Sequence, residues 1–482
     1  MTKIKAYKQY INGEWVDSAS SERIEVLNPV TEEVISSIPK GDVSDAQKAL
    51  EAAKNAQDAW EELPSVARGE YLKQIAALIT KNREELAKTL ANEQAKVIGL
   101  AQVEIDATAA YFDYYAGWAR RIEGEIIQSD RPGETMYLHK HAIGVAVGIL
   151  PWNFPFFVMA RKVAAALITG NTIVVKPSSE APNVVLEWMD LVHKEMELPK
   201  GILNFVSGSG SIVGQALAES PITGIISLTG SVSAGQKVME AAAKNITKVS
   251  LELGGKAPAI VAKDADLDMA VKAVVDSRLI FSGQVCNCAE RVYVAEEIYE
   301  EFIARAKKIM SETKVADVFD GESAMSAMVS QDQIDKVDGM VRRAVDAGAK
   351  VEYGGKRMEE FTKGFFYMPT LLTNMTQDSE IIQEEIFGPV LPVMKFKTIK
   401  DAVEMANDSE FGLTSSVYSE DYNTIMYVQK YLKFGEVYIN REHFEAIQGF
   451  HAGWRKSGIG GADGKHGMEE YLVTKVVYAQ LR

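Results

Sequence analysis

Ile202-Leu-Asn-Phe-Val206, the turn Ser207-Gly-Ser-Gly210-Ser211 and Ile212-Val-Gly-Gln-Ala-Leu-Ala218 read in order as a short apolar strand, a glycine turn and a helix. The same unit recurs on both sides. Upstream, 172–176 reads as a buried strand ahead of a helix over 183–196. Downstream, 225–228 reads as a strand and 233–244 as a helix. Strands alternating with helices at this spacing require right-handed crossovers and a parallel sheet. A similar alternation resumes past Leu253, with helices over 268–279, 298–311 and 331–347 and strands over 292–294 and 350–353. Nearer the start, strands are expected over 10–16, 24–28 and 136–150, and helices over 46–60, 66–92 and 158–169. Glu252-Leu-Gly-Gly-Lys256 is the expected seam between two α/β units.

At 482 residues the chain has room for about three domains and buries sizeable cores, with 47% hydrophobic and 25% charged residues. The net charge of −15, with Lys and Arg scattered, leaves no basic stripe for nucleic acid. Lys3, Lys5 and Lys8 are followed by no apolar stretch, so no secretory leader is expected and the cytoplasm is the expected compartment. The uncharged run 142–160 contains Pro151, Asn153 and Pro155, which favours a buried strand and a loop over a membrane span. The only cysteines, Cys286 and Cys288, stand two apart, and the six histidines lack zinc-site spacings; neither a disulfide framework nor a metal is expected. Asp264, Asp266 and Asp268 imitate a calcium loop, but Met269 and Val275 occupy positions that need Gly and Glu, so they read as helix-capping acids.

The Gly208-x-Gly210-x-x-x-Gly214 turn is one residue longer than the usual dinucleotide fingerprint and reads either as a pyrophosphate cradle or as a plain turn. Thr229-Gly230-Ser231 opens a second helix in the same way. Lys176, at the end of its strand, is either a ligand at the sheet's carboxyl edge or a solvated lysine. Cys286 lies in the polar stretch Ser282-Gly-Gln-Val-Cys-Asn-Cys288 and is either a nucleophile or inert filling. Glu252, between two leucines, is either a base whose pKa burial raises or the ion-pair partner of Lys256. Asn153, between two prolines, presents an amide able to stabilise an oxyanion.

Pro151-Trp-Asn-Phe-Pro155, Lys176-Pro-Ser178, Thr229-Gly-Ser231, Leu251-Glu-Leu-Gly-Gly-Lys256, Gly283-Gln-Val-Cys286 and Glu384-Glu-Ile-Phe-Gly-Pro389 together resemble the aldehyde dehydrogenase superfamily, in this order and over nearly the whole chain. The resemblance implies an α/β fold of two Rossmann-like parallel-sheet domains and a small β bridging element. The cofactor domain would span 1–122 and 144–250, the catalytic domain 251–463, and the bridging element 123–143 and 464–482. That element would assemble a homodimer or homotetramer. The resemblance makes Cys286 the nucleophile, Glu252 the base that activates water and Asn153 the oxyanion amide. It places NAD or NADP against Trp152, Lys176, Ser178, Ser179, Gly210, Gly214, Thr229, Gly230, Ser231, Leu253, Glu385 and Phe387. Glu252 further implies hydrolytic release of a carboxylate rather than transfer to coenzyme A.

Phe450-His-Ala-Gly453 stands where most relatives carry Pro-Phe-Gly-Gly and resembles the lactaldehyde and glycolaldehyde dehydrogenase branch. Arg161, Glu445 and His451 would then face a small hydroxyaldehyde, with a half-buried structural role as the other reading of His451. Three departures stand out. Ser179 replaces a Glu that would repel a 2′-phosphate, so dual use of NAD and NADP is expected, with Glu180 partly restoring the bias to NAD. Phe281 replaces Asn five residues before the nucleophile, where it reshapes the loop beneath Cys286 or fills part of the substrate tunnel. Ser326-Ala327 replaces Gly-Pro. A cofactor-independent cysteine esterase or thioesterase needs only Cys286, Glu252 and Asn153; the glycine turns and Lys176 argue against it. A short-chain or semialdehyde dehydrogenase is the nearer alternative, and a catalytically silent cofactor-binding protein is disfavoured by the intact catalytic set.

Overall fold

A computed structural model describes residues 4–481. Its centre is an eight-stranded sheet in the order Gly458–Ile459, Lys248–Glu252, Thr223–Thr229, Val145–Ile149, Thr172–Lys176, Leu203–Phe205, Gln9–Ile11 and Glu14–Val16. The five strands from Lys248–Glu252 to Leu203–Phe205 are parallel, and the flanking ones are antiparallel. From Val145–Ile149 the chain builds outward through Thr172–Lys176 and Leu203–Phe205, then returns to the other side with Thr223–Thr229. The carboxyl ends of Val145–Ile149 and Thr223–Thr229 therefore flank a topological switch point, where open α/β sheets bind ligands.

Between Glu252 and Pro258 the chain crosses to a second, seven-stranded sheet, parallel except for the edge strand Lys350–Tyr353. A third, antiparallel sheet joins Glu125–Gln128, Glu134–Ala142 and Leu472–Gln480. A fourth small sheet pairs Lys5–Ala6, Val34–Pro39 and Arg23–Leu27. The helix Pro155–Ile168, buried at every residue but Phe157, lies against the first sheet and the helices Ser65–Lys81 and Ile98–Ala116.

Three expected elements divide. The run 136–150 is two strands in different sheets, because Gly144 at φ +115° turns the chain between Ala142 and Val145. The run 66–92 breaks at Asn82, whose amide side chain donates to the Leu78 carbonyl at 2.9 Å and ends one helix as the next begins at Arg83. The run 10–16 is a hairpin turning at Asn12-Gly13, both with positive φ. Of the three aspartates, Asp266 caps the helix Leu267–Leu279 through the Met269 N–H. Among the described residues no cluster of acids, histidines and cysteines is arranged to hold a metal, and no helix is long and apolar enough to cross a membrane.

Candidate active site

Two cavities meet at Cys286. The outer cleft runs along the switch point, lined by Leu150, Pro151, Trp152, Asn153 and Ser178 on one side and Thr229, Gly230, Ser231, Glu252 and Leu253 on the other, with Glu385 and Phe387 across from them. It continues past Ser231 into a groove lined by Gly210 and Gly214. The inner cavity is lined by Phe154, Phe157, Arg161, Val285, Asn287, His443, Phe444 and Glu445. Asn153, Thr229, Cys286 and His451 line both.

Local sequence explains how Cys286 reaches the junction. Its loop feeds the strand Arg291–Ala295, and Phe281 and Ser282 both take left-handed backbone, at φ +47° and +54°. Arg278 holds the loop by donating to the Gly283 and Ala289 carbonyls. Glu290 accepts from Lys256 at 2.9 Å and pairs with Arg278 at 2.7 Å, and it also accepts from the Ile386 and Phe387 N–H groups. Although burial opposes it, these cations hold the Glu290 carboxyl down to about 2. The glycine pair after Leu253 permits close approach. A Cβ at Gly254 would fall 2.6 Å from the Glu385 carboxylate, and one at Gly255 would fall 2.8 Å from the Cys286 carbonyl. The two thiols are distinct: Cys286 is half-buried in the cleft, whereas Cys288 is enclosed, and burial pushes its thiol up to about 12.

Asn153 is set by a buried ion pair. Lys96 donates to the Asn153 carbonyl at 2.7 Å and to Glu104, and its ammonium lies 3.7 Å from the centre of the Phe154 ring and 4.4 Å from that of Phe281. Glu104 accepts from the Phe156 and Phe157 N–H groups at 3.0 and 3.2 Å, capping the helix that Pro155 opens. The Asn153 amide nitrogen donates to the Gln284 carbonyl at 3.0 Å, which ties the asparagine to the cysteine loop. Phe281 lines neither cavity; it is buried behind this loop against Phe154, with ring centres 5.9 Å apart. Of its two expected roles, the position fits reshaping the loop. The Ser326 carbonyl accepts from Ser282 beneath the same loop.

Glu252 differs from expectation. It pairs with Lys162 and Arg161, each at 3.3 Å, and accepts from the Thr229 hydroxyl, while Lys256 belongs to Glu290. Burial alone would raise its pKa, but Lys162, Arg161 and His451 outweigh burial and hold it at about 2. Arg161 also contacts Glu445 at 3.0 Å and Asp463 at 2.9 Å, and its buried Nε has no partner. Lys176 sits under the groove beside Gly214, where burial lowers it to about 8. Ser179 is half-buried next to Ser178 at the cleft.

Residues 15–477 match the aldehyde dehydrogenase family. This chain belongs to that family. It is 55% identical to lactaldehyde dehydrogenase of Escherichia coli over 98% of both chains. The crystal structure of lactaldehyde dehydrogenase from that organism superposes with a TM-score of 0.97 at 54% identity, covering 99% of each chain. A 3,6-anhydro-L-galactose dehydrogenase solved in complex with NAP is 43% identical, with a TM-score of 0.97 over 98% of this chain and all of that one. Betaine aldehyde dehydrogenase from Staphylococcus aureus in complex with NAD+ is 35% identical, with a TM-score of 0.96 over 98% of this chain and 95% of that one.

In this aldehyde dehydrogenase several residues that shape the site escaped sequence reading: Lys96, Glu104, Arg278, Glu290, Glu436 and Asp463. Each is a charged side chain with little exposure whose role depends on a partner outside its own element. The available signal was weak: Glu104 is a charge interrupting an apolar helical face and Lys96 lies in the short connection before that helix, which implies burial only once the partner is known.

Proposed function

We propose that this enzyme oxidises small 2-hydroxyaldehydes, lactaldehyde or glycolaldehyde, to carboxylates with NAD or NADP. The observation that carries the reading is the junction at Cys286 of a long cleft starting at the sheet's switch point and a short inner cavity ending in fixed polar groups. The Arg161 guanidinium and the Glu445 carboxylate, both lining the inner cavity, give a substrate hydroxyl a donor and an acceptor. A site built to bind a hydroxyl rejects the analogue that lacks it far more sharply than an apolar pocket can. The similarity to lactaldehyde dehydrogenase supports the same class.

The residues fit a nicotinamide dinucleotide. Gly210 and Gly230 leave room where a side chain would project, the helix Val232–Ala242 points its N-terminus at the cleft, and Glu385 and Phe387 face Cys286 from the far wall. Gly210, Gly214 and Ser231 would hold the pyrophosphate end, Lys176, Ser178 and Ser179 the adenosine ribose, and Glu385 and Phe387 the nicotinamide ribose, with Trp152, Thr229, Gly230 and Leu253 as walls. Ser179 leaves the 2′ position without a carboxylate, so both cofactors are used. The bound nicotinamide supplies the hydride acceptor.

The Cys286 sulfur attacks the aldehyde carbon, and the carbonyl π pair moves to an oxyanion that the Asn153 amide stabilises. Glu252, on the side of the cleft opposite Asn153, takes the proton from the water that hydrolyses the acyl-cysteine. Lys162 and Arg161 hold it weakly basic here, so it acts after leaving that ion pair. Residues 1–122 with 144–250 serve as the cofactor domain, 251–463 as the catalytic domain, and 123–143 with 464–482 as the bridging element of a homodimer or homotetramer.

The test is to mix the enzyme with lactaldehyde, glycolaldehyde or propanal and NAD+ or NADP+ and follow absorbance of the reduced cofactor. The hydroxyaldehydes are expected to exceed propanal at least tenfold in kcat/KM. Propanal equal to lactaldehyde would refute the hydroxyl assignment, and no reduction with any pair would refute the activity.

A further inference from the structure

One side of the Cys286 thiol is closed by an imidazole. His451 is 2% exposed and lines both cavities together with Cys286. Its Nδ1 lies 2.5 Å from Glu436 Oε1, and the other Glu436 oxygen accepts from the Tyr438 hydroxyl. With Nδ1 engaged, Nε2 is the atom left for the sulfur. The backbone cannot easily carry the ring away, because His451 and Ala462 exchange two hydrogen bonds of 2.9 and 2.8 Å.

We propose that Glu436 holds His451 as an imidazolium and that His451 is the counter-ion of a Cys286 thiolate, so that the nucleophile is ionised before cofactor or aldehyde binds. The inference rests on the assignment of Cys286 as nucleophile. It gives His451 a part in the chemistry beyond facing the substrate, and it makes Glu436 a positioning residue.

The surrounding charges favour the imidazolium. Glu436 faces the ring from the strand Glu436–Ile439, Glu252 from the first sheet, and Glu445 and Asp463 from the C-terminal segment; Arg161 and Lys162 come from the helix Pro155–Ile168. Four carboxylates thus stand against two cations; they favour the imidazolium and oppose a second anion, so the thiolate has to rely on His451 as its counter-ion. Burial works against a charged ring, but Glu436 and its neighbours outweigh burial and raise His451 well above the ordinary histidine range. Glu252 is already committed to Lys162 and Arg161, so it is not needed to deprotonate the thiol. A thiolate paired with an imidazolium attacks without losing a proton: the C–S bond forms, the carbonyl π pair moves to oxygen, and the imidazolium keeps its proton.

The test needs neither cofactor nor aldehyde. The rate of Cys286 alkylation by iodoacetamide is measured by peptide mass mapping at pH 6.0 and 9.5 in the full-length enzyme and in the H451Q and E436Q variants. The ratio of the two rates cancels accessibility and intrinsic reactivity and reports how much thiolate survives at pH 6.0. An ordinary thiol is ionised to well under about 1% at pH 6.0. His451→Gln is expected to lower the pH 6.0 to pH 9.5 ratio at least tenfold, and Glu436→Gln to lower it by a smaller factor. A structural role for His451 alone would change both rates together, and an unchanged ratio would overturn the proposal. Labelling of the enclosed Cys288 marks a variant that has lost its fold; if H451Q does so, E436Q decides, and an unchanged ratio there overturns the proposal equally. Loss of the ratio in a protein that oxidises no hydroxyaldehyde would leave this inference standing and refute only the substrate reading.

Discussion

Replacing Lys96 with Met removes the cation that clamps the Asn153 loop while keeping most of its volume. The side chain is fully buried, and its ammonium is shared among Glu104, the Asn153 carbonyl and the faces of two phenylalanine rings. Breaking a buried pair leaves an uncompensated charge and costs about 3–5 kcal/mol. Glu104 keeps two backbone N–H donors, which limits the loss, while the lost cation–π contacts add about 1 kcal/mol; a total of about 3–5 kcal/mol therefore stands. Unfolding entropy of about 2.1 cal/mol/K per residue makes this a fall of about 3–5 °C in Tm if the subunit melts as one unit. Turnover should fall in parallel by roughly tenfold to a hundredfold, because a displacement of about 1 Å at a positioning group has that effect. The assay is differential scanning calorimetry beside steady-state rates. The double variant K96M/E104Q is informative, since a neutral glutamine oxygen still accepts from Phe156 and Phe157; it should recover more than half of the Tm lost in K96M. A K96M enzyme melting within about 1 °C of its parent, or a double variant as unstable as the sum of the singles, would refute the clamp.

Glu290 is held at about 2 against an ordinary 4.5, so its contribution, on the order of 3 kcal/mol, is full above about pH 4.5 and is lost as pH falls toward 2. The stability gap between the parent and E290Q should therefore be widest above pH 5 and close toward pH 3 in denaturant titrations; a gap independent of pH would contradict the ion-pair account. Ser179→Glu introduces a carboxylate opposite a 2′-phosphate and should lower kcat/KM with NADP+ at least tenfold while changing that with NAD+ less than threefold. In the parent enzyme, a preference for NAD+ above about a thousandfold would overturn dual use.

Parallel strands such as Thr172–Lys176 and Thr223–Thr229 were legible because burial on both faces demands unbroken β-branched and apolar runs. Breaks at single residues were not. Asn82 and Gly144 interrupt runs whose periodicity continues across them, and only the tertiary path shows that the chain turns there. In the site, short contiguous motifs carried Asn153 and Cys286, each on a turn, and Glu252, at the end of its strand. The charges that hold them were not legible, because Lys96 reaches Asn153 57 positions on, Glu104 reaches Phe156 52 positions on, Glu290 reaches Ile386 96 positions on and Glu436 reaches His451 15 positions on. For the same reason the pKa expected of Glu252 pointed the wrong way: two leucines beside it in sequence suggested burial, while the two cations that dominate it lie 90 and 91 positions earlier.

Cofactor reduction with lactaldehyde in C286A and C288A tests the central claim most directly. Cys286→Ala should abolish turnover and prevent the acyl adduct that mass spectrometry of the quenched parent enzyme locates on the Cys286 peptide. Cys288→Ala, which empties a site for an enclosed and inert thiol, should keep most of the activity. Turnover surviving in C286A, or equal loss in both variants, would contradict the account.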